Sequence, residues 1–237
     1  MPKIMKRGQA AKNQQEQGIV AIMHKAAGVL TDYGKQFVIA ASLLTAFLAI
    51  AGGYFIMRYA DERKASPLLA AAYEAYSPSG VSAADYAKAL ELFRGIQKKY
   101  SGTMSAAIAQ YYVGNCLTEL GQADEALKEY RLFVTKYSGE KFLLGLVYQR
   151  LGYLYGALGK QADAVKAFEQ AETLGGPGVA TIELARLYEA SGNTSESQKK
   201  FKTVQEKLGN TTWSMEAMGK ARKIEPTVKP VAEKEGK

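Results

Sequence analysis

The stretch "LTELGQADEALKEYRLF", residues 117–133, returns twice further along the chain. It recurs as "YGALGKQADAVKAFEQA" at 155–171, 38 residues on, and as "YEASGNTSESQKKFKTV" at 188–204, 33 residues after that. A half-copy, "ADYAKALELFRGI" at 84–96, precedes them, and "KYSG" stands at both 99–102 and 136–139. Self-similarity at a period of this size marks a chain of stacked units, each too small to bury its apolar face without its neighbours.

The copies agree position by position. A small residue stands at Gly114, Gly152 and Ala185, and a large one three places on at Leu117, Tyr155 and Tyr188. Turn glycines follow at Gly121, Gly159 and Gly192, then Ala89, Ala126, Ala164 and Ser197, and four places later Phe93, Tyr130, Phe168 and Phe201. This pattern resembles the tetratricopeptide repeat, a helix–turn–helix unit of about 34 residues. The small residues are expected where two helices cross closely, the aromatics to fill the gap to the next repeat, and the glycines to accept turn backbone angles. The repeat's closing proline is missing, and Gly102, Gly139 and Gly175 are expected to do its work.

The expected fold is therefore all-α, a single N-terminal transmembrane helix followed by a tetratricopeptide-repeat α-solenoid. The solenoid covers 66–210 as three full repeats and a degenerate leading unit, whose first helix is expected at 66–77 before a loop through Pro78 and Gly80. A closing helix at 211–224 would cover the last apolar face with Trp213 and Met218. The tail 225–237 has two prolines and little apolar content, so it is expected to be disordered.

The transmembrane expectation rests on "FVIAASLLTAFLAIAGGYFIM", residues 37–57, which carries no charge. As a helix it spans about 31 Å, the thickness of a bilayer's hydrocarbon core. A soluble core helix would show a polar face, and only Ser42 and Thr45 are polar here. "AIAG" at 49–52 contains a signal-cleavage pattern, but the long preceding region and the length of the apolar core favour an uncleaved anchor. Residues 1–36 carry six Lys/Arg against two acids, which places this basic tail in the cytoplasm and the repeats outside. Tyr33, Tyr54 and Tyr59 sit near the ends of the span, where interfacial aromatics gather. Within the tail, Ile19, Ile22, Met23, Ala26, Leu30 and Tyr33 follow helical spacing. That short amphipathic helix has two readings, one lying on the inner leaflet and one packed on protein. Ala41, Thr45, Ala49 and Gly53 form a stripe suited to close helix packing, which the small-residue content of the span also produces by chance.

Composition narrows the function. Residues 61–217 carry 18 basic and 18 acidic side chains, so the basic excess lies at the ends and not on the body, which argues against nucleic acid as a partner. Cys116 is the only cysteine, so neither an internal disulfide nor a multi-thiol zinc site exists, and it is expected to pack as a small apolar residue. The body has no histidine, and "GGPG" at 175–178 lacks the Lys-Ser/Thr of a phosphate loop. No enzyme activity, cofactor, metal or small-molecule substrate is expected.

A solenoid offers instead a concave groove lined by its first helices. In this register the groove carries Ile108, Tyr111, Asn115 and Thr118, then Leu146, Gln149 and Tyr153, then Ile182, Arg186 and Glu189. Aromatic, apolar and amide groups together suit an extended polypeptide, although the same side chains could pack against the next helix. Some tetratricopeptide proteins grip a C-terminal carboxylate with Lys and Asn. Asn115 matches that clamp, but Tyr111, Val179 and Glu183 stand where its basic residues belong, so the clamp is not carried over.

The layout, with the flanking stretch "YGKQFVIAASLLTAFLAIAGGYFIMRYADERKASPLLAAAYEAY", is similar to the YfgM-like family of bacterial inner-membrane proteins. That resemblance implies a single-pass inner-membrane protein with periplasmic repeats, associated with the SecYEG translocon, periplasmic chaperones or nascent secreted chains. The "KYSG" spacing is also similar to envelope-assembly and cell-division coordinator proteins, but those usually lack an anchor or use a lipobox cysteine. Three functions are in view: a chaperone-like adaptor near the translocon, a scaffold for a fixed envelope partner, and an organellar import receptor.

Overall fold

The computed structural model describes residues 3–80, 83–209 and 211–224, with side chains described from residue 20 except at 26–27, 29–32 and 221–224. The tail at 225–237 therefore lies outside the described residues, as do the side chains of Ile19, Ala26 and Leu30. Nine helices follow one another among the described residues: α1 (Lys3–Tyr76), α2 (Tyr86–Lys99), α3 (Met104–Glu119), α4 (Ala123–Lys136), α5 (Lys141–Ala157), α6 (Gln161–Gly175), α7 (Val179–Ala190), α8 (Thr194–Leu208) and α9 (Thr212–Ile224). The chain divides into two compact units, one ending at Ala60 and the other beginning at Asp61.

In the first unit α1 carries the uncharged span. The helix is long and apolar enough to cross a membrane, and its apolar window is not buried. Phe37, Leu44, Phe47, Ile50 and Phe55 are each more than half exposed, which is not the state of a soluble domain's core helix. The Thr45 hydroxyl donates to the Ala41 carbonyl at 2.7 Å, so the polar atom of the small-residue stripe is satisfied within its own helix.

The second unit stacks helix pairs. Helix α3 pairs with α4, α5 with α6 and α7 with α8, and α9 closes the array on α8. The end of α1 meets the start of α2 through the Asp85 amide on the Ala75 carbonyl and Tyr76 edge-on to Tyr86. The first helix expected at 66–77 is not separate: α1 continues through Pro67. Proline there removes a backbone donor and crowds the Arg63 carbonyl, a local cost of about 3 kcal/mol. Long-range contacts offset it. Ala65 and Ala72 are fully buried, Leu69 packs on the core, and the Glu62 carboxylate accepts from the Ser105 amide and from its hydroxyl at 2.5 Å. Glu62 thereby caps the N-terminus of α3 from 43 residues away, where a negative charge is favourable.

Inside a repeat the spacing of the two helices is set by a ring lying on a glycine. A Cβ built on Gly114 would fall 2.3 Å from Cε1 of Tyr130, and one on Gly152 would fall 2.7 Å from Phe168. The aromatics therefore pack first on their own repeat. Phe93 also reaches the next pair, stacking on Tyr112 with centroids 5.1 Å apart, the role expected from the sequence.

The turn glycines are required by backbone angle. Gly121, Gly159 and Gly192 have φ of +73°, +72° and +77°. After each, the next amide reaches back 2.8 Å to the carbonyl of Leu117, Tyr155 or Tyr188, closing the same helix end three times. Between repeats the expectation needs correction. Gly102 is left-handed at +97°, but Gly175 is the last residue of α6 and Gly176, at +75°, makes the break, while Gly139 has no positive φ. At the end of the array Ala217 is fully buried in a cluster with Ile182, Ala185, Phe201 and Val204, and Trp213 packs against that cluster. Met218, expected in that cover, is 42% exposed.

These contacts predict opposite effects for two glycines one turn apart in α5. Gly152→Ala forces the Phe168 ring from its seat and is expected to destabilise the chain by about 1–3 kcal/mol. Gly156→Ala meets nothing within 4 Å and is expected to stabilise the helix by about 0.5–1 kcal/mol. Urea unfolding followed by circular dichroism, on full-length protein in mild detergent, distinguishes the two signs.

Candidate partner-binding groove

The three first helices treat their expected groove residues differently. On α3, Ile108 is half-buried and Tyr111 is buried, with its ring edge-on to Tyr112 at 5.1 Å. The Tyr111 hydroxyl accepts from Arg150 Nε at 3.3 Å. Asn115 is only 3% exposed, and its Oδ1 accepts the Tyr130 hydroxyl at 2.7 Å, fixing the ring that lies on Gly114. Thr118 is exposed, but its hydroxyl donates to the Gly114 carbonyl at 2.8 Å. The amide and hydroxyl of this helix are thus committed to internal bonds.

On α5 the expected residues form an open face. Leu146 and Gln149 are half-buried, and Tyr153 is exposed. Phe142, one turn before Leu146 and not among the residues expected in the groove, belongs to the same face and is 79% exposed. The spacing that joins Leu146 to Gln149 and Tyr153 also reaches back four residues to Phe142, so the signal was present. Beside this face lies a recess of about 400 Å³ lined by Phe142, Leu146, Gln149, Leu174, Val179 and Ala180. Gly145, Gly175, Gly176 and Gly178 complete its wall, so backbone takes the place of side chains that would fill it.

On α7 the structure moves one residue off the groove. Ile182 is fully buried in the cluster with Ala185, Phe201, Val204 and Ala217, because that side of α7 faces α8 and α9. Arg186 donates through Nε and Nη2 to the two Glu216 carboxylate oxygens at 3.0 and 2.6 Å, and through Nη1 to Glu183 at 2.8 Å. Glu189 accepts from Lys220 at 2.7 Å, and the Tyr153 hydroxyl donates to Glu183 at 3.2 Å. A continuous polar chain, Tyr153–Glu183–Arg186–Glu216, therefore crosses α5, α7 and α9. No motif announces it, because each contact to α9 joins residues 30 or 31 apart in separate repeats.

Ionisation follows from these contacts. The bond from Arg186 holds the Glu216 carboxyl below its ordinary range against the opposing effect of burial. Burial, together with the Glu183 charge, raises the Tyr153 phenol. Burial pushes the Cys116 thiol up to about 12, so it stays protonated and packs as an apolar side chain. Among the described residues no group of three or more His, Cys, Asp or Glu side chains could hold a metal ion.

Residues 108–139, which span α3 and α4, match the tetratricopeptide repeat family. No curated protein matches the sequence. Among solved structures, a tetratricopeptide repeat protein from Parabacteroides merdae ATCC 43184 superposes with a TM-score of 0.55 at 16% identity, over 68% of this chain. This chain covers 60% of that protein's length. A protein of nearly identical TPR-like repeats from Podosopora anserina gives 0.53 at 16% identity, over 68% of this chain and 85% of its own. The fold is thus a tetratricopeptide-repeat α-solenoid, an architecture generally used to bind other proteins and not for catalysis.

The Arg186–Glu216 contact makes the docking of α9 pH-dependent. Because the folded-state carboxyl sits below its ordinary value of 4.5, its contribution is complete above that pH and is lost as pH falls through the lower folded value. Trp213 is the only tryptophan and lies on α9, so its emission is expected to shift to the red in acid below pH 4.5. In Glu216→Gln this acid step is expected to shrink, because the docking is already loosened at neutral pH.

Proposed function

We propose that this protein is a membrane-anchored protein–protein interaction module, a chaperone-like adaptor on the periplasmic side of a bacterial inner membrane, close to the Sec translocon. The observation that carries the reading is the face Phe142–Leu146–Gln149–Tyr153 beside its glycine-walled recess. Phe142 offers a large exposed ring, the recess accepts an apolar side chain, and Gln149 provides an amide able to bond an extended backbone. The uncharged span at 37–57, with its apolar side chains exposed, supports the anchor, and the basic excess before it supports a cytoplasmic N-terminus. The similarity of the layout to the YfgM-like family supports the translocon and chaperone neighbourhood.

The second reading, a scaffold for one fixed envelope-assembly or cell-division partner, is favoured by the polar chain to α9. A surface held rigid by Arg186 and Glu216 is better suited to a folded partner than to varied clients.

Copurification in mild detergent followed by mass spectrometry separates the two. Sec subunits or unfolded clients are expected, whereas a single stoichiometric partner without them would select the scaffold. Phe142→Ala is expected to weaken capture at least about tenfold, roughly 1.4 kcal/mol, with helical content unchanged. Undiminished capture would move the working surface elsewhere. Alkaline phosphatase fused at the C-terminus is expected to be active, and a well-expressed inactive fusion would reverse the topology.

A further inference from the structure

A second recess opens on the far side of α5, between α4 and α6. At about 100° per residue, Tyr148, Leu151 and Tyr155 lie opposite Phe142, Leu146, Gln149 and Tyr153. The cavity measures about 350 Å³, and its apolar wall includes Val134, Leu151, Tyr155 and Ala167. It is not a general property of the repeat. In the next interface the positions of Val134 and Ala167 are taken by Glu172 and Lys200, which form an ion pair across the gap. In the preceding interface the same positions hold Gln97 and Glu129. The cavity exists because two polar side chains are replaced here by smaller apolar ones.

Charge at its rim follows the same logic. Arg94, one repeat earlier, pairs with Glu125 at 3.6 Å. Its counterpart Arg131 donates instead to the Tyr155 hydroxyl, from Nε at 3.2 Å and Nη2 at 3.0 Å, and lies over that ring at 5.9 Å. A phenol is a neutral acceptor, so the guanidinium charge is oriented without being cancelled. One repeat later the position of Arg131 holds Glu169, which accepts the Tyr188 hydroxyl at 2.9 Å. Lys166 is a second exposed cation at the rim, and Asp163 is the one carboxylate among the described residues that line the recess.

We propose that this recess is a docking site for an acidic segment of a partner protein, which seats one apolar side chain against Val134 and Ala167 and places flanking carboxylates on Arg131 and Lys166. The site is independent of the groove on the other side of α5, so one helix serves two surfaces.

The test uses the full chain in lipid nanodiscs and fluorescein-labelled hexapeptides with a central Leu-Phe pair. One is flanked on each side by two glutamates, a second by two lysines, and in a third the glutamates flank Ala-Ser. The first is expected to bind at least about tenfold more tightly than the others by fluorescence anisotropy. Val134→Glu with Ala167→Lys writes the neighbouring ion pair into the recess and is expected to weaken that binding about tenfold. Arg131→Gln, which leaves the apolar wall intact, is expected to weaken it several-fold. Circular dichroism and thermal melting confirm that each variant is folded. The proposal is overturned by no binding, by equal binding of the lysine-flanked peptide, or by binding that persists in both recess variants. Self-association of the chain that Val134→Glu with Ala167→Lys abolishes would assign the recess to a second copy, and would equally overturn it.

Discussion

The contact on which the solenoid depends is an aromatic ring resting on bare backbone. Tyr130 covers Gly114 and Phe168 covers Gly152, at distances that leave no room for a Cβ. With the ring seated there, two helices of a repeat cross closely enough to share one layer of side chains, and the opposite sides of both helices are free to meet the next pair. Asn115 gives the Tyr130 hydroxyl its partner, so burying that phenol leaves no unsatisfied polar atom. The third repeat keeps the contact in weaker form, with Ala185 and Phe201 together in the last core cluster. Everything further out, from the turn geometry to the register of the recesses, is measured from this seat.

What could be read in the sequence was the part of the fold fixed by neighbours in the chain. Gly121, Gly159 and Gly192 were legible because a left-handed residue after a helix is a local requirement, and glycine meets it at least cost. The small residue and the aromatic sixteen positions later were legible because they recur. The separate helix expected at 66–77 fails for the complementary reason, since α1 runs on through Pro67. Its local preference against helix is real, but Ala65, Ala72 and the bond from Ser105 to Glu62 hold the segment in α1 from outside. Gly139 and Gly175 were assigned by analogy with a missing proline, and the chain breaks its second helix at Gly176 instead.

The groove was legible only in outline. A period of 3.6 residues identifies which side of a first helix faces inward, but the border between lining and packing falls within one turn. Ile182 and Tyr111 lie just across that border and are buried, while Phe142 lies just outside the stretch considered and is the most exposed aromatic on its face. Arg186 and Glu189 are exposed, yet α9 claims their charges. That outcome depends on how a helix beginning at Thr212 docks against α7, a long-range fact that no local pattern carries.

Both recesses on α5 arise in the same manner, by subtraction from the repeat. On the inner side, Gly145, Gly175, Gly176 and Gly178 leave a wall without side chains. On the outer side, Val134 and Ala167 stand where the next interface has Glu172 and Lys200. The repeat pattern constrains neither set, since its fixed positions are those that seat the ring and close the helix. A solenoid can therefore acquire a binding site without disturbing its core, by shortening residues that face the gaps between pairs. The cost is small, because each gap is only one contact layer among several and the stacked pairs are held by others. In this chain α5 is flanked by a recess on each side, while in the next interface the positions of Val134 and Ala167 are filled by the Glu172–Lys200 ion pair.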